Sequence, residues 1–80
     1  MTRPNVSAAE IQAEVARLVH QIQEIRDDRQ TIPVPLPAHL AGLDSAGCNW
    51  YMPYGGRVGV YGHAIRDAVQ QVKAKWNLAR

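Results

Sequence analysis

The sequence predicts an α+β domain in the order helix, extended proline-rich linker, β-hairpin and helix, with the two helices packed together and on one side of the hairpin. Three observations carry this prediction. An apolar stripe of helical period follows a capping signal near the N-terminus, and alternate prolines then exclude both a helix and a central strand. An aromatic stretch broken by glycines comes next and leads into a second apolar stripe. The expected boundaries are 1–6 flexible N-terminus, 7–30 helix, 31–47 proline-rich linker and loop, 48–61 hairpin and 62–78 helix, all in one domain. The alternative is an all-α helical hairpin in which 48–61 is irregular.

The first helix has the clearest start signal. Ser7 followed by Glu10 is a capping box, and Val6 before it is placed to staple onto Ile11. Ile11, Val15, Leu18, Ile22 and Ile25 then recur at helical spacing on one stripe, which Ala8 extends and Val19 widens. Arg26 and Arg29 suit the negative end of the helix dipole, and Ile32-Pro33 stops the helix because a residue before proline is pushed out of the α region. Read as heptads, Ala8, Val15 and Ile22 fall at a, and Ile11, Leu18 and Ile25 at d. A dimer seam and a face turned to the domain's own core both fit this pattern. The breadth that Val19 adds, and charges at e and g that do not complement one another, favour the core.

In Ile32-Pro33-Val34-Pro35-Leu36-Pro37 every second residue lacks an amide proton and has its φ fixed, so the stretch is an extended, semi-rigid linker laid over the core. It has no PxxP register with a flanking arginine, as a proline-rich ligand would need. Leu40 and Leu43 are the expected anchors of the loop up to Gly47. Asn49 to Met52 and Arg57 to Tyr61 then form the arms of the hairpin, with Met52 facing Val58 and Trp50 facing Val60 across a glycine-containing turn. In the last helix Ile65, Ala68, Val69, Val72 and Trp76 share the buried face.

Composition narrows the function classes. At 80 residues the chain holds one core, and a core of that size rarely contributes more than about 3 to 5 kcal/mol, so self-association into a homodimer is the expected reinforcement. Cys48 is the single cysteine, which leaves no intramolecular disulfide, and Met1 to Asn5 lacks the apolar run of a secretory signal; a cytoplasmic location is expected. No stretch is apolar enough for a membrane span. His20, His39, His63 and Cys48 show no metal-ligand spacing, so neither a metal nor another cofactor is expected. The glycines of 55–62 match neither dinucleotide nor phosphate-loop fingerprints, and the carboxylates show no sign of a buried pair. The expectation is therefore a protein that is not an enzyme and acts by binding.

Two binding surfaces present themselves. All five aromatics, Trp50, Tyr51, Tyr54, Tyr61 and Trp76, lie in the C-terminal half, and a domain this small does not bury them all. Tyr51, Tyr54 and Arg57 are the candidate contacts for a protein partner, itself included. The alternative is nucleic acid: Arg66, Gln70, Lys73, Asn77 and Arg80 recur on one flank of the last helix, where Arg and Lys meet phosphates and Gln and Asn read base edges. A net charge of +2 and the lack of a helix-turn-helix weigh against that alternative.

Overall fold

The structure, a computed structural model, describes residues 4–29, 31–45, 47–53 and 61–79. Its elements in chain order are β1 (Asn5–Val6), α1 (Ala8–Val19), α2 (Gln23–Asp27), β2 (Ala38–His39), β3 (Trp50–Tyr51), α3 (Gly62–Lys75) and β4 (Asn77–Leu78). The mixed α+β class and the packing of the N-terminal helix on the C-terminal one are as the sequence predicts.

Helix α1 starts where its cap lies. Ser7 is extended at φ −69°, ψ 158°, and its Oγ accepts the Glu10 amide at 3.1 Å, which satisfies one of the donors a helix start leaves open. Ser7→Ala should therefore lower stability by about 0.5 to 2 kcal/mol in chemical denaturation. The buried line of α1 is Ile11, Val15 and Val19, whereas Leu18 and Ile22 are only half-buried. Val19 is thus central to the stripe and Leu18 flanks it. That line faces α3 of the same chain, whose Ile65, Ala68, Val69 and Val72 are buried.

The stretch read as one helix over 7–30 is interrupted. Gln21 and Ile22 donate to Leu18 and Val19, an i to i−3 pattern that tightens the last turn, and Ile22 is extended at ψ 127° before α2 begins. Tertiary ties reward the break. The His20 ring bonds the Ala16 carbonyl at the end of α1 and receives the Ile32 amide, fastening the following segment across the helix end. Arg29, at φ 54°, closes α2 in the left-handed conformation that more often falls to glycine.

The proline segment carries neither helix nor strand, and it hands over to a strand as soon as amide protons return. Pro37 is buried, and after it Ala38 and His39 pair antiparallel with Tyr51 and Trp50; the Leu40 amide continues the ladder to Asn49 O at 2.8 Å. This ribbon replaces part of the expected strand-free linker. The partner of Trp50 and Tyr51 seen here is thus β2, while residues 54–60, which would supply the expected turn and most of the returning arm, lie outside the described residues, as do the proposed pairings of Met52 with Val58 and Trp50 with Val60.

Two further departures concern the ends of the domain. Asn5 and Val6, expected to be flexible, form a strand parallel to Asn77 and Leu78. The helix expected over 62–78 ends at Lys75, because Trp76 turns extended at φ −135°, ψ 149° to deliver β4. Bonds from Asn77 to Pro4 O at 2.9 Å and from Ala79 to Val6 O at 2.8 Å replace one more helical turn. The core below these strands is Ile11, Val15, Val19, Ile25, Cys48, Trp50, Ile65, Ala68, Val69, Val72 and Leu78, with no polar side chain buried among the described residues.

Candidate partner-binding surface

The ribbon of β2 and β3 has an inner and an outer side. Trp50 points inward with no exposed surface, and its Nε1 donates to Trp76 O at 3.0 Å, which satisfies the one polar atom that burial of an indole must account for. Its neighbour Tyr51 therefore points outward, by the alternation of a strand, and is 44% exposed. Two other large apolar side chains are exposed nearby in sequence: Leu36, at 54%, just before β2, and Leu43, at 70%, in the loop joining β2 to β3. Leu43 is not the anchor that the sequence suggested. In that loop the Asp44 backbone and carboxylate take over the anchoring instead.

Asp44 organises the return into β3. Its amide donates to Cys48 O at 2.9 Å, its Oδ1 accepts the Cys48 amide at 2.9 Å, and its carbonyl accepts from Gly47, where φ of 81° calls for glycine. The other carboxylate oxygen meets Lys73 Nζ at 3.2 Å, and that ammonium lies 5.9 Å from the centre of the Trp50 ring. Cys48 is fully buried, with Sγ near Trp50 O, and serves as a small core side chain. Asn49 then holds β4 in place of a strand: Nδ2 donates to Leu78 O at 2.9 Å and Oδ1 accepts the Leu78 amide at 2.8 Å. One side-chain amide thus mimics a peptide unit on the edge of β4 that β1 leaves open. No sequence signal marks it, since the role depends on a partner 29 residues away.

Of the residues proposed for nucleic acid, Arg66, Gln70 and Lys73 keep helical spacing on α3, and Asn77 leaves it. Arg66 and Gln70 are exposed on α3, but Lys73 is engaged by Asp44, and Asn77 lies in β4 with its Nδ2 turned to Gly47 O at 3.4 Å. The helical spacing that aligned them on paper ends with α3 at Lys75. Arg80 lies outside the described residues, as do Tyr54 and Arg57 of the other candidate surface.

Across α1 and α3 the charges are paired for structural reasons. Glu14 accepts both Nε and Nη2 of Arg17, the latter at 2.9 Å, and also Lys75 Nζ, which in turn lies 5.0 Å from the centre of the Trp76 ring. The hydrogen bonds from Arg17 and then Lys75 hold the Glu14 carboxyl down at about 2, below its ordinary 4.5. A depressed carboxyl contributes stability that is complete above its unfolded pKa and is lost as pH falls through the folded one. Glu14→Gln should thus cost about 0.5 to 1 kcal/mol at neutral pH, and the gap to the parent should close between about pH 4.5 and 2 in pH-dependent denaturation. At the far end of α3 the Tyr61 hydroxyl donates to Asp28, which raises its pKa and ties α3 to the end of α2.

Among the described residues no group of His, Cys, Asp and Glu is placed to hold a metal ion, and no helix is long and apolar enough to cross a membrane. Compared with protein-family models, with curated proteins and with solved structures, the chain has no match in any of the three.

Proposed function

We propose that the chain is a small non-enzymatic protein-interaction or regulatory module that binds through the outer side of the β2–β3 ribbon. The observation that carries this reading is the exposed Tyr51, supported from beneath by the buried, hydrogen-bonded Trp50. An aromatic side chain on a rigid support loses little conformational freedom when a partner covers it, and such residues are enriched among those that dominate binding energy. Leu36 and Leu43 add apolar surface on the segments that flank the ribbon. Tyr54 and Arg57 follow in sequence as further contacts, and a second copy of the chain is among the partners this reading admits.

The polar residues of α3 and the start of β4 need no nucleic acid to explain them. Lys73 and Asn77 contribute to the fold, through Asp44 and Gly47, and Arg66 and Gln70 form an ordinary solvated helix side. Tyr51→Ala tests the proposal. It should leave the denaturation midpoint within about 1 kcal/mol of the parent, because Tyr51 is 44% exposed and stands outside the core cluster, while weakening the complex by about 2 kcal/mol or more in titration calorimetry. Unaltered affinity would remove Tyr51 from the interface.

A further inference from the structure

We propose that His20 is a proton-operated latch on the proline segment. The bonding of its ring sets its protonation state. An amide can only donate, so Nε2, which receives the Ile32 amide at 3.1 Å, carries no proton. Nδ1, 2.8 Å from the Ala16 carbonyl, must then carry one and donate it. The neutral imidazole satisfies both partners, and an imidazolium satisfies only one. Protonation puts a hydrogen on Nε2 that opposes the Ile32 N–H, while the bond to Ala16 at the end of α1 persists and the positive charge suits that end of the helix.

The consequence is local because the segment has few other ties. Pro33, Pro35 and Pro37 have no amide proton, so the Ile32 amide is one of the few backbone donors from which the segment can be fastened. Among the described residues the other side-chain tie from α1 is Gln12 Nε2, which donates to Val34 O at 2.8 Å and contains no group that titrates. Ile32 and Val34 both pack on the core. Acid therefore frees the Ile32 end of the strap while Gln12 keeps hold of Val34. His20 is half-buried, so protons reach it. The charged and titratable groups of the surrounding elements are Glu10, Glu14 and Arg17 on α1, Glu24, Arg26, Asp27, Asp28 and Arg29 on α2 and its end, and His63, Arg66, Asp67, Lys73 and Lys75 on α3, while Thr31 to Pro37 supplies none. Among the described residues none of these forms an ion pair with the imidazole.

Amide exchange measured by nuclear magnetic resonance on the full chain between pH 8 and pH 5, corrected for the intrinsic rate, tests the latch. The Ile32 amide should lose protection roughly tenfold from pH 8 to pH 5, about the value of one hydrogen bond. The Leu40 amide, bonded to the Asn49 carbonyl and so free of any titrating partner, should keep its protection. In His20→Gln the Ile32 protection should not depend on pH. Constant Ile32 protection between pH 8 and pH 5 in the parent overturns the proposal, whether or not the variant folds. A parallel fall at Leu40 would mean that the whole domain opens, and overturns it equally.

Discussion

Trp50→Ala is expected to be the most damaging single substitution in the chain. The side chain is the largest of the fully buried ones, and truncation of a buried tryptophan costs about 3 to 5 kcal/mol through lost transfer energy and the cavity left behind. Loss of its Nε1 bond also leaves the Trp76 carbonyl without that donor, adding about 1 kcal/mol. An 80-residue domain has a total stability of about 4 to 12 kcal/mol, so much of the variant should be unfolded at room temperature. Trp50→Phe separates the two contributions, since it keeps most of the apolar volume and removes the N–H. It should cost distinctly less than the alanine variant by circular dichroism in guanidinium. Equal effects would mean that the hydrogen bond to Trp76, and not packing, holds β3 to the end of α3.

Asn49→Ala should follow, at about 2 to 4 kcal/mol. The substitution strands both the amide and the carbonyl of Leu78, a residue only 3% exposed, and each buried backbone group left unpaired costs about 1 to 3 kcal/mol. Asn49→Asp is the informative comparison, because a carboxylate still accepts the Leu78 amide but cannot donate to the Leu78 carbonyl. It should rescue at most part of the loss at neutral pH. Selective loss of exchange protection at the Leu78 amide in the alanine variant would locate the effect in β4. Protection that falls equally throughout the core would point instead to a global role for Asn49.

These two residues also mark where reasoning from sequence reached and where it stopped. Local signals were legible: Ser7 and Glu10 located the start of α1, periodicity identified Ile11, Val15, Ile65, Val69 and Val72 as core, and the prolines kept helix and strand out of residues 31–37. Strand partners were not legible. Ala38 and His39 form an element of two residues, too short for any period, and their pairing with Trp50 and Tyr51 arises from closure of a loop and not from composition. The same holds for β1 and β4, whose parallel pairing joins the two ends of the chain. The helical spacing that added Asn77 to Arg66, Gln70 and Lys73 misled for a related reason. Periodicity continues on paper after tertiary bonds to Pro4, Trp50 and Asn49 have drawn the chain out of the helix. Of the candidate partner contacts, Tyr51 could be inferred as the outward neighbour of an inward Trp50, whereas the exposure of Leu43 depends on Asp44 anchoring its loop.

Binding is proposed to reside on the ribbon and not on the basic side of α3. The most direct measurement compares one complex, captured with the parent chain, across Tyr51→Ala and Arg66→Gln, each first shown to be folded. Lys73→Gln is unsuitable for this purpose, because it breaks the Asp44 ion pair and so reports on the fold. A protein partner should be retained by Arg66→Gln at unchanged affinity and lost by Tyr51→Ala. Salt-sensitive retention of nucleic acid by the parent, weakened by Arg66→Gln and untouched by Tyr51→Ala, would contradict that expectation.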